Sequence, residues 1–209
     1  MDTDGGAMDA VENKLANIEK RWRKCRKCGL YKTRSNVVFW RGNHKASLVI
    51  IGEAPGAQED MQGEPFIGEA GDLFEDLCEK INGPEPWSSF ICNTVGCRPP
   101  SNRKPRPEEV KSCRARLYAM LMAVKPKAVL LLGSTALESL TPYTGIMKMR
   151  GQQIRIKFEW KNREVEIPAV PTLHPGYLLR NRDVKIKRLV VSDIRTAWEL
   201  ASPSYIEGD

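Results

Sequence analysis

No stretch of this sequence approaches the ~20 consecutive apolar residues that span a bilayer, so no membrane partner is expected. The opening residues, MDTDGGAMDAVE, lack the basic and apolar character of a signal or transit peptide. An intracellular, cytoplasmic setting follows, in which thiols stay reduced and disulfides are not expected. Histidine is scarce, with two in 209 residues. Lysine and arginine are missing from one glycine-rich loop, GEAPGAQEDMQGEPFIGEAG, which runs from Gly52 to Gly71. A phosphate cradle is the usual use of such a loop between a strand and a helix, but five acids and no base argue against it. The net charge is nevertheless +7, so the positive charge gathers elsewhere, as on proteins that meet nucleic acid.

Hydrophobic residues make up 41% of the chain, an ordinary globular share. The length suits one domain; we place it at 8–201, with tails at 1–7 and 202–209. Met8, Val11, Leu15, Ile18 and Trp22 recur at steps of three and four and predict an amphipathic helix. Four short apolar runs follow, Leu48–Ile51, Phe90–Val95, Ala128–Leu132 and Ile167–Leu173. Helical patterns separate them: Leu73–Ile81, a stretch through Val110–Val124 opened by Pro107, and a weaker one at Thr135–Leu140. A last helix spans about Asp183–Ala201. Strands alternating with helices predict a mostly parallel sheet covered on both faces, with its sites at the carboxyl ends of the strands. Gln152–Trp160 and Arg163–Ile167, turned at Lys161-Asn162, predict a hairpin within the irregular region 143–168.

Six cysteines need a reason other than disulfides. Cys25 and Cys28 form C-x2-C, amid Arg23, Lys24, Arg26 and Lys27, which favour thiolates. Cys97 ends a strand pattern and Cys113 lies on the apolar stripe of its helix, so this second pair can close a four-thiolate site. The C-x2-C does not repeat, as it would in a zinc ribbon. Spacing alone leaves zinc and an iron–sulfur cluster both open. Cys78 and Cys92 lie in apolar patterns and read as core. Asn93 sits inside a strand pattern, where its amide needs a partner, either backbone or a planar ligand. His174 ends the fourth strand pattern, before Pro175-Gly176 and a basic stretch.

GEAPGAQEDMQGEPFIGEAG, CNTVGCRPPSNRKPRPEEVKSC and LHPGYLLR, with C-x2-C ahead of them, together resemble the iron–sulfur uracil-DNA glycosylases of the family 4 type, over about residues 22–200. The resemblance implies a three-layer α/β/α sandwich with a central parallel four-stranded sheet. It implies a [4Fe–4S] cluster on Cys25, Cys28, Cys97 and Cys113, mainly structural. It implies a monofunctional enzyme, likened to a monomer, that removes uracil from single- or double-stranded DNA, with the glycine-rich loop walling a pocket for a flipped base. By resemblance Glu53 and His174 are catalytic, His174 against the uracil O2. Phe66 stacks on the base, Asn93 reads its edge, and Gly52, Glu59 and Asn102 complete the pocket, Glu59 as a steric guard against thymine. Ala54 stands where relatives outside this family carry a catalytic aspartate.

Arg98, Arg103, Lys104 and Arg106, with Arg180, Arg182, Lys185, Lys187 and Arg188, are the expected DNA contacts, and Tyr177 and Leu178 the wedges that fill the gap left by the base. Three departures stand out: His-Pro-Gly in place of His-Pro-Ser or His-Pro-Ala, Gly96 in place of a larger and often basic residue, and a longer region at 143–168. They keep a second reading open, a related enzyme for another modified base. A third is a non-catalytic DNA-binding or replication-accessory module. The joint presence of Glu53, Phe66, Asn93 and His174 argues against that one.

Overall fold

The computed structural model describes residues 9–81, 88–181 and 183–202. The expected tail at 1–7, Met8, Arg182, and all but Ser202 of the expected tail at 202–209 lie outside the described residues. A six-stranded sheet forms the middle: β1 (Trp40–Gly42), β2 (Leu48–Gly52), β3 (Phe90–Asn93), β4 (Ala128–Leu132), β5 (Ile154–Trp160) and β6 (Arg163–Thr172), in the order β1-β3-β2-β4-β6-β5. The four inner strands are parallel, and β1 and β5 close the two edges antiparallel. The four-stranded parallel core is as expected, but the sheet has two further strands. β1 escapes the sequence because three half-buried residues carry no pattern. The hairpin is present, with Lys161 and Asn162 both in the left-handed region that a two-residue turn requires. Its second strand and the expected fourth parallel strand are one continuous strand, β6.

Alternate residues of the inner strands feed two cores. Val49, Ile51, Phe90, Val129 and Leu131 face α1 (Ala10–Trp22), α4 (Pro107–Val124) and α5 (Gly133–Leu140). Leu48, Ile50, Ile91, Leu130 and Val170 face α3 (Glu69–Glu79) and α8 (Val184–Ala201). Three short helices, α2 (Ala57–Gln62), α6 (Ile146–Met149) and α7 (Pro175–Arg180), lie in the loops that follow strands or precede the hairpin. α1 starts at a reciprocal cap: Asp9 Oδ1 accepts from the N–H of Val11 and Glu12, and the Glu12 carboxylate accepts from that of Asp9.

One buried carboxylate locks the carboxyl end of β6. Asp193 on α8 is 2% exposed. It accepts from Thr172 Oγ1 at 2.6 Å, from Arg150 Nε at 3.0 Å, and from Arg150 Nη2. Arg150 Nη2 also donates to the carbonyl of Leu189 at 2.8 Å. Strand β6, helix α8 and the segment after α6 are thus joined two residues before His174. Asp193→Ala strands the Arg150 cation and should destabilise the protein by about 3 kcal/mol or more in urea unfolding. A change under about 0.5 kcal/mol, the size of an ordinary surface substitution, would show the network to be dispensable.

Candidate active site

The four parallel strands end at one edge, and a cavity of about 730 Å³ opens there. Gly52 and Asn93 are register partners across β2 and β3, and Leu132 and Thr172 across β4 and β6. Glu53, Asn93 and His174 therefore emerge side by side, as the parallel topology dictates. A Cβ on Gly52 would meet Asn93 Oδ1 at 2.4 Å and the Phe66 ring at 2.7 Å. The bare backbone of Gly52 lets the amide and the ring close over it.

Phe66 is buried and holds a left-handed backbone, φ 57°. Such a conformation costs on the order of 1 kcal/mol in a residue with a Cβ and persists only where neighbours enforce it. Two neighbours do. Arg41 on β1 donates to the Phe66 carbonyl at 3.1 Å. Gly71 on α3 lets that carbonyl approach so closely that a Cβ there would lie 2.1 Å from it. The ring packs edge-on against Phe74 at 6.0 Å and lies tilted 6.1 Å from His174.

Asn93 is 3% exposed. Its carbonyl accepts from Arg116 at 2.7 Å. Among the described residues its side-chain amide has no hydrogen-bond partner, yet it lines the cavity. An amide held at the cavity wall in this way offers a donor and an acceptor to a ligand that carries both on one edge.

His174 caps α7, and its Nδ1 accepts from the N–H of Gly176 at 3.0 Å. With Nδ1 an acceptor, the proton of the neutral ring sits on Nε2. Burial, and to a lesser degree the charge of Arg180, push its pKa down to about 4. The ring is a neutral donor at physiological pH.

Thr135 on α5 donates its hydroxyl to Glu53 Oε2 in a short hydrogen bond. The carboxylate thus lies at the first turn of a helix, where the dipole favours negative charge. Thr135 was not singled out from the sequence; no motif marks it, and it stands 82 residues from its partner. Glu59 on α2 is half-buried, and its carboxylate lies beside the bare backbones of Gly56 and Gly68. Asn102 lines the cavity and accepts from Arg98 Nε at 2.7 Å.

The basic residues fare unequally. Arg103 forms a forked pair with buried Glu109, at 2.7 and 2.8 Å, and Lys104 pairs with Glu138 at 3.1 Å. Arg180 lies at the cavity mouth with no acid against it among the described residues. Tyr177 is exposed there, but Leu178 is 1% exposed and packs into the α3–α8 core. Leu178 is therefore corrected: in this conformation it does not reach the surface, and its neighbour Leu179 does.

Three of the four cysteines expected to share a site lie in one small apolar cluster, and Cys25 packs against the neighbouring large core. Cys97, Cys28 and Cys113 pack with Leu30 and Val95. Arg34 joins Cys25 to Cys97, donating to the carbonyl of the first at 2.8 Å and to Sγ of the second at 3.2 Å. Cys113 Sγ accepts from the N–H of Gly96 and from Arg116 Nε, each at 3.4 Å. Among the described residues no three cysteine sulfurs lie within 4.8 Å of one another. A single tetrahedral zinc with bonds of about 2.3 Å needs its sulfurs about 3.8 Å apart. As they stand, the four sulfurs do not close on one such ion. Cys78 and Cys92 are buried in the sheet cores, with burial pushing both thiols up to about 12, as befits structural residues.

A family model described as the uracil DNA glycosylase superfamily matches residues 39–199. A type-4 uracil-DNA glycosylase of Thermotoga maritima is 38% identical over 188 residues, which cover 89% of this chain and 94% of that protein. One from Sulfurisphaera tokodaii is 34% identical over 199 residues, 93% of this chain and 86% of its own. One from Saccharolobus solfataricus is 36% identical over 188 residues, 90% and 86%.

The state of His174 can be read directly. Nitrogen-15 NMR should show a neutral ring protonated on Nε2 at pH 6, with a midpoint of about 4. Because the folded value lies below the unfolded value of about 6.5, the unfolded chain binds the proton first. This group's contribution to stability is complete above about pH 6.5 and is lost as the pH falls toward 4. A midpoint near 6.5 would mean that the ring is solvated and the assigned tautomer wrong.

Proposed function

The chain belongs to the uracil DNA glycosylase superfamily, and we propose that it works as a type-4 uracil-DNA glycosylase, hydrolysing the N-glycosidic bond of uracil in DNA and leaving an abasic site for base excision repair. One observation carries the reading: a neutral Nε2–H donor at His174 and an unpartnered amide at Asn93 flank the Phe66 ring in one cavity at the sheet edge. DNA binding alone needs no such pocket.

The base enters after flipping out of the strand. Phe66 stacks on it. The Asn93 amide pairs with its donor–acceptor edge, and in that one orientation it cannot also satisfy cytosine. As the N1–C1′ bond breaks, negative charge grows on the base and His174 Nε2–H donates to O2. A donor placed where charge develops typically contributes on the order of 3 kcal/mol. Glu53, held by Thr135, faces the sugar, where its carboxylate stabilises the cationic centre or orients the attacking water. Glu59 beside Gly56 guards the position a thymine methyl would take. Gly52 lies beneath the Asn93 amide and the Phe66 ring and gives them room, and Asn102 completes the wall.

Arg98 and Arg180 meet the phosphates. Arg103 and Lys104, already paired with acids, contribute to the rim more than to the charge. Tyr177 and Leu179 fill the space the base leaves. Cys25, Cys28, Cys97 and Cys113 hold a [4Fe–4S] cluster, which supplies a rigid cross-link between the N-terminal segment and the end of β3 and takes no part in bond cleavage. The protein acts on DNA as a monomer inside the cell. No helix among the described residues is long and apolar enough to cross a membrane.

His174→Ala and Asn93→Ala should each lower excision of uracil from a labelled single strand by about 100-fold or more, read by alkaline cleavage, while both variants stay folded. Wild-type rates in both would remove the site assignment. Protein purified without oxygen should be brown and contain iron and acid-labile sulfide. Stoichiometric zinc in a colourless protein would replace the cluster with a single ion.

A further inference from the structure

Arg116 is the largest fully buried side chain among the described residues, at 1% exposure. It lies on α4, three residues beyond Cys113. Its guanidinium has no carboxylate partner among the described residues. Nη2 donates to the carbonyl of Asn93 at 2.7 Å and, at longer range, to that of Thr94 at 3.5 Å. Nε donates to Cys113 Sγ at 3.4 Å, and Nη1 points to Met120 Sδ at 3.7 Å. Room for this arrangement comes from Gly96, where a Cβ would stand 3.0 Å from the Arg116 Nε and Cζ and 3.0 Å from the carbonyl of Val38.

An unpaired cation in a dry interior is among the costliest groups a fold can hold. Carbonyl oxygens solvate it but do not neutralise it. The neighbours that can supply negative charge are the cysteine sulfurs, provided they are thiolates. Thiolates held by a metal group supply that charge permanently. Arg34, donating to Cys97 Sγ, does the same from the other side, but it stands nearer the surface.

We propose that Arg116 is a positioning residue that couples the four-cysteine site to the base pocket: one guanidinium holds the Cys113 sulfur and the Asn93 backbone at once. This rests on the glycosylase reading above. Its consequence is that occupancy of the cysteine site bears on base recognition through a residue that touches neither base nor DNA. With the sulfurs loaded, Arg116 is neutralised and Nη2 stays on the Asn93 carbonyl, fixing the angle at which the amide enters the cavity. With the site empty, the Cys113 sulfur is no longer fixed from the metal side, and the guanidinium that spans it and the Asn93 carbonyl loses one of its two supports.

Two variants separate the charge from the geometry. Arg116→Met keeps length and removes the charge and the fork. Arg116→Lys keeps the charge and removes the fork. Iron retention is followed during incubation with a chelator, and excision of uracil from a single strand is measured on freshly loaded protein of equal iron content. Groups that orient metal ligands typically change metal affinity or activity on the order of 10-fold to 100-fold. Arg116→Met should lose iron at least about tenfold faster than the parent and excise with kcat/KM lowered about tenfold. Arg116→Lys should retain iron within about twofold of the parent but keep the excision defect, since its single amine cannot span both partners.

Binding to an abasic-site strand should be unchanged in both, which a general loss of folding would not allow. Iron retention and excision both at parental levels in Arg116→Met would overturn the proposal. So would Arg116→Lys that recovers excision fully, or one that loses iron as fast as Arg116→Met. If the parent protein itself excises no uracil, the glycosylase reading fails, while the iron measurement still tests the link to the cysteine site.

Discussion

The site depends on the pairing of Gly52 with Asn93 across two adjacent parallel strands. Parallel register brings two chain segments to the same edge at the same height. The missing side chain at Gly52 then lets the Asn93 amide and the Phe66 ring occupy the space above it. Glu53 follows at once, and the same edge receives His174 from β6. Phe66 keeps its left-handed backbone while Arg41 donates to its carbonyl and Gly71 leaves that carbonyl room. A shift of one residue in β2 against β3 would turn Asn93 to the other face and dismantle the rest.

Much of this fold can be read from the chain because inner parallel strands are buried on both faces. Leu48–Ile51 and Ala128–Leu132 are apolar without alternation, and β2 and β4 coincide with them nearly residue for residue. β6 misleads because its two halves live in different surroundings. Its first half, up to Ala169, is a hairpin arm paired with β5, and its second, from Ala169 on, is a buried strand paired parallel with β4. One strand with two environments reads as two segments. α2 is hidden for a related reason: its buried residue is Asp60, whose carboxylate accepts the N–H groups of Ser35 and Asn36, so it shows no apolar stripe.

In the site, residues that stand on long motifs are legible one at a time, and their partners are not. Charge can be counted in a sequence, but pairing cannot. Arg103 and Lys104 read as cations for DNA, and Glu109 and Glu138 hold them. Leu178 and Leu179 are identical neighbours, and only the docking of a six-residue helix decides which faces the core. Thr135 and Arg116 lie 82 and 23 residues from the groups they hold. The sense of Gly96 lies across the fold, in the arginine that fills the space it leaves.

The bare backbones of Gly56 and Gly68 on the cavity wall set what that wall can become. A wall made of side chains can be trimmed, and a pocket so built can drift toward larger cargo by losing atoms. Here Gly56 and Gly68 line the cavity with no side-chain atoms left to lose. A Cβ at Gly56 would stand 2.6 Å from one Glu59 carboxylate oxygen, and one at Gly68 3.3 Å from the other. Both glycines thus act as the seat of a single acid, and bulk added at either must move that acid before the chamber itself changes.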